Sequence, residues 1–241
     1  MVVFLGPSLA RDKAEEIVSA QFLPPASIGD VYRASLTRPS AVVVIDGYFE
    51  GVPAVWHKEI LHAIDQGIQV HGCSSMGALR AAELKPAGMT GSGAVYEQYI
   101  SGQLTDDDEV AVAHADADTG YRSISDAMVN IRHGLQTAQA LGLVSPAAAE
   151  VLVQTTKALF YPERHWSVVL QAADELPEVS NTEAKALREF VMAGAPDVKA
   201  RDAADALTAL AAGMLLRGTR FQGHFPRTHA WTEFTLEESG H

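Results

Sequence analysis

Gly72-Cys73-Ser74-Ser75-Met76-Gly77-Ala78-Leu79-Arg80 follows a short apolar run, Ile68–His71, and opens a stretch of helical character reaching about residue 84. A strand running into a tight turn and then a helix is the unit of a parallel α/β sheet. Working outward, Val2–Leu5 and Ala41–Ile45 are further β-branched or apolar runs of buried-strand length,. Amphipathic segments at about 9–20 and 54–66 separate them. The alternating segment Val110-Ala111-Val112-Ala113-His114-Ala115 has the period of one more strand. Strand then helix, repeated, predicts a Rossmann-like parallel sheet over residues 1–120.

From about residue 123 the character changes. Alanine- and leucine-rich helical patterns occupy 123–141, 146–160, 164–175, 182–193 and 197–217, so residues 121–241 read as an all-helical half,. Ser145-Pro146 is a cap followed by proline at the first helical position, and Asn181 before Thr182-Glu183 is a second cap signal. Beyond 218, Phe221, Phe225, Trp231 and Phe234 lie among glycine, proline and histidine without helical or strand period. That irregular tail either packs on its own domain or meets a partner.

A serine at a strand-to-helix turn is where α/β hydrolytic proteins hold a nucleophile, with first-turn amides free to receive an oxyanion. Met76 and Gly77 supply the candidate N–H groups. The run is not a GxSxG, because Gly72 precedes Ser74 by two whereas Gly77 follows Ser75 by two, so the pattern leaves both serines open. It equally suits an N-cap serine on an ordinary helix. A serine hydroxyl needs a base, and Lys58 is placed for one. It flanks the apolar stripe Trp56, Ile60, Leu61 and Ile64, close to the positive end of its helix and next to a tryptophan, two effects that disfavour an ammonium. A solvated surface lysine fits the same pattern.

Composition narrows the classes. With 241 residues, 47% apolar and 20% charged, the chain has the balance of a soluble globular protein,. A net charge of −12 repels phosphate backbones and anionic membrane surfaces, so neither nucleic acid nor membrane is expected as a partner,. The start, Met1-Val2-Val3-Phe4-Leu5-Gly6, lacks a basic region and a long apolar run, and the apolar stretch at 207–216 is too short to span a bilayer. The single cysteine, Cys73, rules out an intrachain disulfide and fits a reducing compartment, so the expected location is cytoplasmic,. Nine histidines show neither HxH nor HExxH spacing, and no metal site is expected,.

The chain resembles the TfuA-like family. The resemblance rests on Pro24-Pro25-Ala26 with Gly29-Asp30-Val31-Tyr32-Arg33, on Ile45-Asp46-Gly47-Tyr48-Phe49, and on Val52-Pro53-Ala54-Val55-Trp56-His57-Lys58-Glu59. It continues through Ser74-Ser75-Met76-Gly77-Ala78-Leu79-Arg80-Ala81-Ala82-Glu83-Leu84 and Asp106-Asp107-Asp108-Glu109-Val110-Ala111-Val112. These motifs span about the first half of the chain.

The resemblance implies an accessory protein of peptide backbone thioamidation, in ribosomal peptide natural product biosynthesis. Such a protein would hydrolyse the thiocarboxylated C-terminus of a ThiS-like, ubiquitin-fold sulfur carrier and deliver sulfide to a YcaO-type thioamide synthetase. The precursor peptide would be met only indirectly, and no cofactor is implied. Carried onto this sequence, Lys58 is the base and Ser75 the preferred nucleophile, since Ser-Met-Gly-Ala also resembles the nucleophile stretch of Clp-type serine peptidases. Ser74 is the second choice. The rival is a non-catalytic adaptor that raises the affinity of the YcaO enzyme for its peptide; a third reading is a general serine hydrolase. Cys73 departs from the small residue expected there, and is either a sulfur acceptor or a buried small hydrophobe.

Other residues carry alternatives. Arg80 either binds a carrier thiocarboxylate or pairs with Glu83. Asp46, followed by Gly47 at a strand's C-terminal end, either orients Lys58 or caps a turn. The run Asp106-Asp107-Asp108-Glu109 suits a cation, a basic partner surface or a solvated loop.

Overall fold

The computed structural model describes residues 1–214, 225 and 228–239. The chain divides into two compact units, one formed by Met1–Thr105 with Asp202–His241 and the other by Asp106–Arg201.

The first unit is built on five parallel strands, β1 (Val2–Phe4), β2 (Gln21–Leu23), β3 (Ala41–Val44), β4 (Gln69–Cys73) and β5 (Thr90–Ser92), in the order β2-β1-β3-β4-β5. β1 and β3 are wholly buried, as expected of strands covered on both faces,. Between them run the helices α1 (Arg11–Ile17), α2 (Asp30–Leu36), α3 (His57–Asp65) and α4 (Met76–Leu84), and α5 (Ala94–Ile100) follows β5. Val3, Val43, Ile45 and Cys73 share one buried cluster with Ala14 of α1 and with Ala203, Ala206 and Leu207 of α10 (Val198–Ala211). This is a doubly wound sheet whose order reverses between β1 and β3, the place where such folds open a crevice at the strands' carboxyl ends.

The start of α4 lies directly on the sheet. A Cβ on Gly77 would come within 1.7 Å of Val44 O, and one on Gly72 within 2.0 Å of Gly77 O. Only glycine at both positions lets the helix approach so closely, and that approach sets where Ser74 and Ser75 stand.

The second unit contains α6 (Met128–Ala140), α7 (Pro146–Lys157), α8 (Trp166–Glu175) and α9 (Asn181–Met192), each packed on the next around Ile131, Leu135, Leu152, Val169 and Leu187. Ser145 caps α7 by accepting from Ala148 N–H. The cap of α9 is Ser180 rather than Asn181, which is the first helical residue: the hydroxyl of Ser180 and the carboxylate of Glu183 satisfy each other's backbone N–H groups,.

Three further sequence expectations are corrected. The alternating Val110–Ala115 segment is not a strand of the sheet; among the described residues it makes one isolated bridge, His114 with Ser123, and pairs with no strand. The tail is not wholly irregular, since His229–Ser239 forms α11. Two short edge strands, β2 and β5, add to the three foreseen. Residues 215–217 of the expected last helix and Phe221 lie outside the described residues. No helix among the described residues is long and apolar enough to cross a membrane.

Candidate functional site

β4 ends at Cys73, and α4 begins at Met76, so the chain reverses within two residues. Ser74 takes φ +67°, a left-handed conformation rare for a side chain larger than glycine, and Ser75 N–H donates to Cys73 O at 2.8 Å. Together these make a γ-turn of the strained hand. Ser75 holds the N-cap position with φ −114° and ψ −127°, yet its side chain makes no cap hydrogen bond to the first turn of α4. Its carbonyl accepts instead, from Ala78 N–H at 2.9 Å. Both serines are buried, Ser74 fully and Ser75 to within 2%.

Met76 is the first residue of α4, where amides have no acceptor inside the helix,. Gly77 N–H donates to Ile45 O at 3.2 Å and is engaged in seating the helix on β3. Gly47 faces the same turn: a Cβ there would meet the Met76 side chain at 2.7 Å. The Asp46 carboxylate accepts from Gly6 N–H at 2.9 Å, from Ser8 N–H at 3.1 Å and from the Ser8 hydroxyl at 2.6 Å. Of its two sequence readings, the turn cap is the one these bonds serve, closing the loop after β1 at the reversal point of the sheet.

Lys58, in the first turn of α3, carries its Nζ 5.2 Å from the centroid of the Trp56 ring and donates to Thr228 Oγ1. Arg80 donates to Val55 O and pairs with Glu83 at 2.7 Å, and His57 Nε2 meets the same carboxylate at 2.8 Å. Burial opposes ionisation of Glu83, but His57 and Arg80 outweigh it and hold the carboxyl below its ordinary value. The ion-pair reading of Arg80 is therefore realised.

Cys73 is wholly buried, and burial raises its thiol well above the ordinary range, with Asp202 and Asp46 adding to the effect. It packs in the sheet's core as a small hydrophobe rather than presenting a reactive thiolate,.

Two buried groups carried no sequence signal. Glu59 accepts from Trp56 N–H at 2.7 Å and from Gly29 and Tyr32 N–H at 3.1 Å each, so one carboxylate caps α3 and α2 together. Burial outweighs these three donors and pushes its pKa up to about 7. His71 lies between Thr90 Oγ1 and Ser92 Oγ, each 2.9 Å from a ring nitrogen. Thr90 donates its proton to Val70 O, so it accepts from Nδ1–H, and Nε2 is left to accept from Ser92,. Burial lowers the imidazole to about 4, which keeps it neutral. The missing signals have plain causes: Glu59 follows a tryptophan cap rather than a Ser or Thr, and His71 looks like the polar end of an apolar run.

In the second unit the acidic run is not a solvated loop. Lys157 Nζ sits among Asp106 at 3.1 Å, Glu109 at 3.0 Å and Asp108. Arg164, 1% exposed, binds Asp108 at 2.6 Å, and Arg132 binds Glu109 through two bonds of 2.9 Å. The three carboxylates bring one oxygen each within 4.8 Å of one another, the spacing of a cation site, and a lysine ammonium supplies the cation.

Fold and turn together define a doubly wound α/β protein with a strained, serine-bearing strand-to-helix turn at the carboxyl edge of its sheet. The family model described as TfuA-like protein matches residues 46–165, and the chain belongs to that family. The matched stretch contains Asp46, Gly47, Lys58, Ser74, Ser75, Met76, Gly77 and Arg80, and it excludes β1, β2 and α11. Membership is consistent with an accessory role in thioamidation. The comparison with curated proteins returned no match.

Proposed function

We propose that this protein hydrolyses the thiocarboxylated C-terminus of a ThiS-like sulfur carrier and passes the sulfide to a partner YcaO-type thioamide synthetase. The observation that carries the proposal is the γ-turn at Ser74: strain held at a strand-to-helix serine turn is the feature hydrolytic α/β sites share,. Family membership is consistent with the accessory role; the pathway and the pairing of serine with lysine are what the resemblance implies.

Ser75 is the nucleophile in this reading, with Ser74 the alternative. Lys58, as the free amine, takes the hydroxyl proton while the serine oxygen attacks the thioacid carbon. Met76 N–H receives the developing oxyanion, and Gly77 N–H joins it if the bond to Ile45 opens. The protonated lysine returns its proton to sulfur as the carbon–sulfur bond breaks, releasing hydrosulfide. Water, deprotonated by the same amine, then attacks the acyl carbon, and the protonated lysine returns the proton to the serine oxygen as that bond breaks, freeing the carrier as a carboxylate. Because hydrosulfide leaves readily, positioning and exclusion of water matter more than assistance to departure. The nearly complete burial of both serines suits a slender chain end such as a carrier tail, and it requires the site to open on binding.

The test is sulfide release from a thiocarboxylated ThiS-like carrier by wild type, Ser75→Ala, Ser74→Ala and Lys58→Ala. Loss of about 10³-fold or more is expected for Lys58→Ala and for one serine, with circular dichroism unchanged. No release by wild type, or equal release by all four proteins, would sink the hydrolase and leave an adaptor that raises the affinity of the YcaO enzyme for its peptide.

A further inference from the structure

Lys58 is held from two directions, and only one of them lies in the family-matched stretch. Trp56, the N-cap of the same helix, offers its ring face. The second hold comes from Thr228, whose hydroxyl oxygen accepts from Lys58 Nζ and from Trp231 N–H at 3.3 Å, so that it also caps α11. α11 is fixed in turn by an aromatic cluster. Trp231 is 5% exposed and meets the ring of Tyr32 at 5.6 Å, of Trp56 at 6.1 Å and of His62 at 5.2 Å, while Phe234 meets Tyr32 and Trp56 at 5.6 Å each. Glu238 at the other end of the helix pairs with Arg33 of α2.

We propose that the C-terminal segment 228–239 is part of the working site, and that Thr228 is the positioning residue that orients the Lys58 amine. The inference rests on the hydrolase reading for its catalytic consequence. A lysine stem has four rotatable bonds and about 2 kcal/mol of rotamer entropy, so an unheld amine spends little time in any one geometry. Donation of one N–H to Thr228 fixes rotation about the last bond and gives the remaining positions on nitrogen defined directions. The Trp56 face alone cannot do this, because attraction to a ring has no preferred rotation about that bond. The same aromatic cluster that docks α11 includes Trp56, so helix and lysine are held as one assembly.

Two measurements on the full chain test this. Acetylation of Lys58 by acetic anhydride, without carrier and read by peptide mass spectrometry against exposed Lys13, reports the amine's restraint independently of hydrolysis. Sulfide release across pH 6 to 10 reports the consequence. Thr228→Val should make Lys58 several-fold more reactive relative to Lys13, lower sulfide release about tenfold and shift its pH profile; Thr228→Ser should restore all three. Thr228→Asp keeps a good cap on α11 but pairs the amine with a carboxylate, so it should slow both acetylation and release while tryptophan emission shows the helix still docked. Unchanged acetylation in both Thr228→Val and Thr228→Asp overturns the proposal and leaves the hydrolase intact. Altered acetylation with full release in both overturns the positioning role. If wild type releases no sulfide, the hydrolase reading fails instead, and acetylation alone decides whether Thr228 holds the amine.

Discussion

Glu59 in the first unit and Glu183 in the second do the same structural job. Each stands three residues into a helix, reaches back to its own N-cap amide, and caps a neighbouring helix as well: Glu59 takes Trp56, Gly29 and Tyr32 N–H, and Glu183 takes Ser180 and Ser145 N–H. Yet Glu59 is pushed up to about 7 and Glu183 down to about 2. Glu59 is wholly buried, and desolvation prevails over its three donors; Glu183 remains partly exposed, and the hydrogen bonds led by the Ser180 hydroxyl prevail,. The number of donors does not decide a carboxylate's charge; water does.

The serines divide in the same way. Ser145 and Ser180 accept from first-turn amides and hold their helices. Ser75 occupies the same position on α4 and makes no such bond. An N-cap serine in the second unit is structural, while the one in the first stands at a strained turn.

The largest effects should come from buried ionisable groups. Glu59→Ala strips three amides of their acceptor, and Arg164→Ala leaves Asp108 and its neighbours short of a buried cation, so each should cost on the order of 3 to 5 kcal/mol in urea unfolding. Glu183→Ala should cost only about 1 kcal/mol; an equal loss would break the contrast between the two carboxylates.

Next comes pH. Folded Glu59 keeps a proton that the unfolded chain, at its ordinary 4.5, has released, so its share of stability falls as pH rises from 4.5 to about 7,. His71 works oppositely: its folded value of about 4 lies below the ordinary 6.5, so stability is lost as pH falls from 6.5 toward 4,. Each is on the order of 3 kcal/mol across its window, and over their overlap they nearly cancel. Glu59→Gln should therefore expose a stability that rises with pH between 4.5 and 6.5, and His71→Gln one that falls. Flat profiles in both variants would refute the burial argument. Glu183, depressed in the fold, adds stability above 4.5 that disappears toward 2. Glu183→Gln should trim that acid limb by about 1 kcal/mol after solvent screening.

The smallest effect separates the serines. Ser180→Ala should lower stability by about 1 kcal/mol. Ser75→Ala removes no cap from α4 and so carries no such capping loss,.

What could be read from the sequence follows the physics of each element. β1, β3 and β4 announce themselves by buried apolar runs, and the helices of the second unit by period and, at α7, by Ser145-Pro146. β2, Gln21-Phe22-Leu23, and β5, Thr90-Gly91-Ser92, are three residues long without a β-branched run, and they become strands by pairing with β1 and β4. Val110–Ala115 shows the converse: alternation with a single bridge, His114 to Ser123, makes no strand of the sheet. The same limit applies to the site. The Gly72–Arg80 stretch reads as a strand-to-helix turn because glycine spacing and serine chemistry are local properties, and the family match follows from the same residues. Thr228 beside Lys58, Lys157 inside the acidic run and the shared caps of Glu59 and Glu183 were not legible, because each joins residues distant in the chain through a side-chain bond. Sequence by itself determined which segments are strand or helix wherever propensity and burial agree. Only the tertiary structure decided which charges lose their water, and so which groups hold the fold and which face chemistry, because desolvation depends on everything packed around a group and not on its neighbours in sequence.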